Sequence, residues 1–275
     1  MTSQRHDDPA NDPASRQGDH PADPFDLTGQ VVVVTGGSRG LGREMCLAFA
    51  ARGAKVVVAS RKFDACVDLA EHLSDTYGTD ALAVACHVGV WDDCTELIGT
   101  TLERFGTIDV LVNNAGMSPL YPSLGAVSEE LFDKVIGVNL KGPFRLSALA
   151  AEHMAAHGGG RIINVSSTAA VQPSRAEVPY GAAKAGLNAL TVALAHMFGP
   201  TVRVNGIMPG PFLTDISKAW DLEAFEHQAR ATIPLQRGGR PAEIVGAALY
   251  LASAASSYTT GSIIKVDGGA AWSPA

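Results

Sequence analysis

Two rhythms of apolar residues alternate along this chain. Short continuous runs rich in valine and isoleucine recur at Gln30-Val31-Val32-Val33-Val34-Thr35, Lys55-Val56-Val57-Val58-Ala59-Ser60, 81–86, Asp109-Val110-Leu111-Val112-Asn113, Arg161-Ile162-Ile163-Asn164-Val165-Ser166, 202–207 and 262–266. Runs of this kind suit strands covered on both faces, as in a parallel sheet. Between them, helical spacing of apolar residues predicts helices. The first carries Met45, Leu47, Ala48 and Ala51 and stops at Gly53; the others cover about 63–77, 92–105, 128–157, 178–198 and 241–253. So many βα repeats predict one α/β domain, a doubly wound parallel sheet with helices on both faces. No internal linker interrupts residues 25–275. Residues 1–24 lack apolar periodicity and carry Asp7-Asp8-Pro9, Asp12-Pro13 and Asp23-Pro24, which predicts a disordered polar extension.

Composition narrows the partners. The 275 residues are 46% hydrophobic and 18% charged, and the formal charge is −7. With no long basic run, nucleic acid and anionic membrane are not expected partners. No apolar run reaches transmembrane length, and no basic region followed by an apolar one marks a secretory signal. Cys46, Cys66, Cys86 and Cys94 form no CxxC pair and have no histidine at finger-like spacing. They read as free thiols in a reducing, cytoplasmic setting, with no metal site.

Two stretches carry chemistry. The first is the turn Gly36-Gly37-Ser38-Arg39-Gly40-Leu41-Gly42, set between the first strand and the first helix. Glycine lets backbone approach a ligand closely, and helix N-terminal amides attract phosphate. The spacing is not the usual G-x-G-x-x-G fingerprint, nor a Walker A loop. An acidic residue at the end of the second strand would bind the ribose 2′-hydroxyl of NAD. Here stand Ser60-Arg61-Lys62, with Arg39 in the turn, and cations suit a 2′-phosphate. NADP(H) is therefore the expected cofactor, with NAD(H) possible; a pair of solvated surface cations is the plainer alternative. The second stretch is Tyr180-Gly181-Ala182-Ala183-Lys184. Residues four apart share a helix face, and an ammonium beside a phenol favours the phenolate. A phenol tuned that way can exchange a proton with an alcohol oxygen near neutral pH. A core ring beside a solvated amine has the same spacing.

Taken together, these motifs resemble those of the short-chain dehydrogenase/reductase family over about residues 27–269. Thr35-Gly36-x-x-x-Gly40-x-Gly42 resembles its cofactor turn, Asn113-Asn114-Ala115-Gly116 its motif after the fourth strand, and Val138-Asn139-Leu140 the asparagine of its long helix. Ser167 lies thirteen residues before Tyr180, the family's usual interval, and Tyr180-x-x-x-Lys184 matches its catalytic pair. Pro209-Gly210 with Thr214 resembles the segment over the nicotinamide, and Asp267-Gly268-Gly269 is also typical. One departure is His87-Val88 where the family commonly has Asp-Val facing the adenine; the valine is still expected to pack on the ring.

The resemblance implies a Rossmann-type fold and a hydride transfer between nicotinamide and a ketone or secondary alcohol. Tyr180 would be the general acid or base, Lys184 would lower its pKa and bind the ribose, and Ser167 would hold the substrate oxygen. Asn139 would bind a water behind Lys184. Ser38, Leu41, Asn114, Ala115, Gly116, Pro209, Gly210 and Thr214 complete the implied cofactor contacts. Substrate contacts are expected from loops at the carboxyl edge of the sheet, with Met117, Ser118, Ser167, Gln172, Phe212 and Trp220 as candidates. Arg175 and Glu177 add polarity near one wall, and residues 211–238 resemble a mobile lid. The family's pairing through its long helices implies a homotetramer, or a dimer. An epimerase or dehydratase on the same fold, and a non-enzymatic NADP-binding protein, are the competing functions. A Ser–His hydrolase is not indicated, because no G-x-S-x-G elbow precedes a helix. Glu129-Glu130 and Asp92-Asp93 open helices and read as helix-dipole charges.

Overall fold

The structure is a computed structural model that describes residues 23–214 and 221–271. Seven strands form it: β1 (Val31–Thr35), β2 (Lys55–Ser60), β3 (Ala81–Ala85), β4 (Val110–Asn113), β5 (Gly160–Val165), β6 (Val202–Pro209) and β7 (Ile263–Val266). Between them run α1 (Gly40–Ala50), α2 (Phe63–Tyr77), α3 (Trp91–Phe105), α4 (Glu129–Ile136), α5 (Gly142–Ala156), α6 (Val178–Phe198), α7 (Leu222–Thr232) and α8 (Val245–Ala252). The strand order is β3-β2-β1-β4-β5-β6-β7, and every pairing is parallel. This is the doubly wound Rossmann-type sheet that the βα alternation predicts.

The central strands bury both faces, and their alternate side chains feed two cores. Val32 and Val34 join Met45, Phe49, Leu69, Leu73 and Leu251, on the side of α1, α2 and α8. Val31 and Val33 join Leu97, Ile98, Leu146, Met154 and Leu194, on the side of α3, α5 and α6. Period-2 alternation within an all-apolar run therefore sorts the valines between two layers of helices.

The predicted helix over 128–157 is one rod with a defect. α4 and α5 are joined by a π turn, Gly137–Lys141, which holds Asn139. The helix expected over 241–253 begins as a 3-10 turn, Pro241–Ile244, before α8. Asp23 and Pro24, expected in the extension, are tied to the fold. Arg52 pairs with Asp23 at 2.7 Å, and the Ala255 amide donates to the Pro24 carbonyl at 3.0 Å. Residues 1–22 lie outside the described residues. Among the described residues no helix is long and apolar enough to cross a membrane.

A buried polar chain sets the position of α6 against the sheet. The Asn113 amide donates to Ser147 Oγ at 2.9 Å and Asn164 Oδ1 at 2.8 Å, and the Asn164 amide donates to Thr191 Oγ1 at 2.9 Å. It joins β4, β5, α5 and α6, directly behind the end of the sheet where the motif residues gather.

Candidate active site

Strand order reverses between β1 and β4, so the loops leaving those two strands diverge and open a crevice at their carboxyl ends. Thr35, the last residue of β1, knots that point together. Its hydroxyl donates to the Val112 carbonyl at 3.2 Å and accepts from the amides of Asn114 at 3.0 Å and Ala115 at 3.1 Å. The Asn114 side-chain amide donates to the Thr35 carbonyl at 2.9 Å and the Gly36 carbonyl at 3.2 Å.

The glycines of the turn answer to this crowding. Gly36 has φ +62°, and a Cβ there would meet the Ala115 Cα at 3.0 Å. A Cβ on Gly42 would overlap the Gly36 carbonyl oxygen. Gly40 has φ +54°, a conformation that glycine adopts freely. The helix these residues start has no side-chain cap at Arg39 and no acidic residue in its first turn. Its first amides are thus left to an anion, and Leu41 belongs to that first turn. The cradle fits a pyrophosphate.

Beside it, Ser38 Oγ bonds Ser60 Oγ at 3.0 Å, linking the turn to the end of β2. Arg39, Arg61 and Lys62 around this link are exposed, and no ion pair among the described residues engages them. Three unpaired cations and no carboxylate at this point fit a 2′-phosphate.

His87 is a turn residue. Its Nδ1 accepts from the Gly89 amide at 3.1 Å, and its own amide donates to Asp93 Oδ2 at 2.8 Å. Asp93, read from sequence as a helix-dipole charge, has this second task. Val88 is 6% exposed and packs in the α3/α5 core, where a Cβ on Gly142 would overlap its carbonyl. Its side chain packs among the core residues of that cluster.

The catalytic candidates converge from three elements. Tyr180 lies in the first turn of α6, which Pro179 helps to start, and Lys184 follows one turn on. Lys184 Nζ sits 5.7 Å from the centre of the Tyr180 ring and donates to the Val165 carbonyl at 2.7 Å. Lys184 is 2% exposed. Burial without an anionic partner holds its ammonium down to about 7. Burial also pushes Tyr180 up to about 12, helped by the nearby Glu177 carboxylate and opposed by the hydrogen-bonding contact with Ser167. The Lys184 ammonium, itself weakened by burial, does not offset that desolvation.

Ser167 starts the 3-10 turn Thr168–Ala170, and its Oγ accepts from the Ala169 amide at 3.1 Å. It is both a cap and a neighbour of Tyr180. Its neighbour Ser166 is buried, and its hydroxyl donates to the Lys184 carbonyl at 3.5 Å. Asn139 clamps the opposite wall: its amide donates to the carbonyls of Met117 at 2.8 Å and Val135 at 2.9 Å, and its Oδ1 accepts from the Met117 amide at 3.3 Å. A Cβ on Gly116 would lie 3.1 Å from Asn139 Oδ1 and 3.6 Å from Lys184 Nζ, so glycine lets these two groups close on the same point.

The expected substrate residues part company. Met117 and Ser118 follow Gly116 along the crevice, partly buried, and Gln172 is exposed. Phe212 is 7% exposed, packs in the α1/α8 core and lies against Gly239. Most of its surface is thus taken up by packing within the chain. Trp220 lies outside the described residues. Pro209 ends β6, and the Gly210 amide donates to the Val266 carbonyl at 3.0 Å. The Thr214 side chain comes within 3.7 Å of where a Gly40 Cβ would be, so this segment returns to the phosphate turn. Within 211–238 the structure adds α7 and a bridge between Phe212 and Gly239.

A recess beside Tyr180 is lined by Pro119, Tyr121, Leu131, Val135, Glu177 and Pro179. The Tyr121 hydroxyl accepts from the Val178 amide at 2.9 Å and donates to the Arg175 carbonyl at 3.0 Å. Sequence reasoning missed Leu131, Val135 and Pro179, because they come from helix faces far apart in the chain. The one available signal was the amphipathic pattern of 128–136.

Comparison with known proteins agrees with this geometry. A family profile described as enoyl-(acyl carrier protein) reductase matches residues 28–271. The chain is 38% identical to the L-rhamnose 1-dehydrogenase (NAD(P)(+)) of Azotobacter vinelandii over 88% of its length and 97% of that protein. It superposes with a TM-score of 0.84 on a short-chain type dehydrogenase/reductase from Mycobacterium marinum, at 36% identity, covering 90% of this chain and 98% of the other. Against L-sorbose reductase from Gluconobacter frateurii, complexed with NADPH and L-sorbose, the TM-score is 0.86 at 29% identity, covering 92% of this chain and 100% of that one. From its switch-point crevice to these relatives, the chain belongs to the short-chain dehydrogenase/reductase family, NAD(P)-dependent oxidoreductases acting on CH–OH groups.

Proposed function

We propose that this protein interconverts a ketone and a secondary alcohol with NADPH as the favoured cofactor, and that Tyr180 moves the proton. The observation that carries the reading is the convergence of Ser167, Tyr180 and Lys184 beside a glycine cradle. The bound nicotinamide supplies or accepts the hydride. Gly36, Ser38, Arg39, Gly40, Leu41 and Gly42 hold the pyrophosphate, and Ser60, Arg61 and Lys62 hold the 2′-phosphate. Asn114, Ala115, Gly116, Pro209, Gly210 and Thr214 flank the remainder, and Lys184 binds the ribose.

The protein's own groups divide the work. Ser167 donates to the substrate oxygen and fixes its place. Tyr180, whose proton burial holds more tightly, gives that proton to the oxygen as the alcohol forms. In the reverse direction it must lose that proton. Lys184 titrates at about 7, so near neutrality a small change in its surroundings charges it and eases that loss. Asn139, by clamping Met117 to the π turn, holds the wall behind Lys184 and the start of a proton relay through water.

The test is consumption of NADPH, read from its reduced-nicotinamide absorbance, against a panel of sugar ketones, β-keto thioesters, steroids, quinones and simple ketones. Tyr180→Phe is expected to lower turnover by about 10²–10⁴-fold while NADPH affinity holds. Equal turnover in the variant would sink the assignment.

The same reading makes residues 25–275 one domain and the assembly a homotetramer paired through α4, α5 and α6, whose Phe132, Phe144, Val192 and Met197 are exposed. Light scattering of the purified protein tests the assembly; a monomer at micromolar concentration would refute it. Four buried free cysteines support a reducing, cytoplasmic setting.

A further inference from the structure

Glu177 stands three residues before Tyr180 and shares its recess. The other linings are prolines, aliphatic side chains, the Tyr121 ring and Ala176, so Glu177 is the one formal charge there. Its backbone is fixed on both sides: its amide donates to the Ser174 carbonyl at 3.1 Å, and its carbonyl accepts from the Gly181 amide at 2.6 Å. The Tyr121 hydroxyl pins the neighbouring Val178 amide and the Arg175 carbonyl.

The carboxylate has no structural employment to match. As N-cap of α6 it makes no hydrogen bond to the helix amides. Oε2 accepts from Ser174 Oγ at 2.7 Å, and among the described residues nothing donates to Oε1. No lysine or arginine among them forms an ion pair with it. Its charge is felt at Tyr180, whose ionised form it disfavours. A ligand hydrogen-bond donor beside Tyr180 would bond the carboxylate oxygen that Ser174 does not use. A ligand carboxylate in the same place would add repulsion instead.

We propose that Glu177 is a specificity-determining residue, selecting ketones that carry a hydrogen-bond donor near the carbonyl and rejecting those that carry a carboxylate there. The inference rests on Tyr180 being the proton-transferring group. Oε1 accepts from a substrate hydroxyl or ammonium while the carbonyl oxygen faces Ser167 and Tyr180. The selected class is therefore the hydroxylated or amino ketone, and keto acids with the acid group beside the carbonyl are excluded.

Four ketones of one carbon skeleton test this, bearing a hydroxyl, an ammonium, a methyl or a carboxylate on the carbon next to the carbonyl. In the wild type, kcat/KM for the hydroxyl and ammonium members is expected about 10-fold above the methyl member, and for the carboxylate member about 10-fold below it. Glu177→Gln keeps an acceptor oxygen and loses the charge. It should erase the ammonium advantage and the carboxylate penalty while retaining the hydroxyl preference. Glu177→Leu should erase all three. Thermal unfolding and NADPH affinity at wild-type values confirm that each variant is folded. Tyr180-dependent turnover with the same four-way ratios in both variants overturns the role of Glu177 and leaves the reductase reading standing. If no member turns over, that reading fails. The role of Glu177 is then read from calorimetric binding of the four ketones to the NADPH-loaded protein. The same order, abolished in Glu177→Leu, supports it; a flat order or no binding overturns it.

Discussion

The two walls of the crevice are built by different rules. The wall formed by β1, its glycine turn and Asn114 presents backbone. The Thr35 hydroxyl ties β1 to β4 with three hydrogen bonds, and glycines mark places where a Cβ would collide. The opposite wall is lined by side chains. Tyr121 reaches the loop before α6 and Asn139 reaches Met117 from distant segments, and Glu177 leans on nearby Ser174. A backbone cradle recognises what every dinucleotide shares, a phosphate and its charge. A wall of side chains can change with each substrate without disturbing the cradle. The first wall therefore suits any dinucleotide, and the second can be fitted to one substrate.

Breaking the cradle should have the largest effect. Gly42→Val places a branched side chain against the Gly36 carbonyl and the Asn114 amide. NADPH affinity, measured by calorimetry, is expected to fall by at least about 10²-fold, a loss of roughly 3 kcal/mol. Wild-type affinity in a folded variant would show that the turn has room to spare.

Lys184 lies between the walls, and its burial makes stability depend on pH. In the folded chain its pKa is depressed to about 7 from 10.5. Between those values the unfolded chain binds a proton that the folded chain has released, so stability rises with pH. Tyr180, raised to about 12 from 10.0, acts the other way above pH 10: the folded chain keeps a proton that the unfolded chain has lost, and stability falls as pH rises. Lys184→Met should flatten the rise between pH 7 and 10. It should raise the Tm of the cofactor-free protein at pH 6 by several degrees, at about 2–4 °C per kcal/mol, while abolishing turnover. Parallel Tm-against-pH curves for wild type and variant would contradict this.

Arg61→Ala sharpens the comparison within the first wall. It removes one of three exposed cations, so the kcat/KM ratio of NADPH to NADH should fall about 10-fold, most clearly at low salt. An unchanged ratio would assign the phosphate to Arg39 and Lys62. The smallest effect is expected on the second wall. Tyr121→Phe removes the hydroxyl that bridges Val178 and Arg175, and should cost about 1 kcal/mol of stability. KM for the ketone should rise by a few-fold with NADPH affinity unchanged. A change in NADPH affinity instead would show that the walls are coupled.

Much of the first wall was legible from residues alone because its signals are local. A valine run, then Gly36, Gly40 and Gly42, then a helix, states a strand, a tight turn and an open helix end within about twelve residues. Tyr180 and Lys184 share a face through helix geometry, and Arg61 in place of an acid is a single-position observation. What was not legible depended on what comes to lie nearby. Phe212 packs in the core beside Gly239, and Val88 in the core beside Gly142. An apolar side chain in a loop carries no local mark of which way it turns.

Sequence by itself determined the alternation of elements, the single parallel sheet, the phosphate turn and the Tyr–Lys pair, because each follows from periodicity and steric rules over a few residues. Only the tertiary structure decided how those parts act. It turned the Ser167 hydroxyl toward Tyr180 and the Ser166 hydroxyl toward the Lys184 carbonyl. It placed Asn139 in a π turn and assembled Asn113, Ser147, Asn164 and Thr191 into one buried chain from four elements. It also set the balance of electrostatic effects at Tyr180. A pKa depends on desolvation by every neighbour, and desolvation is a property of packing that no spacing of two residues encodes.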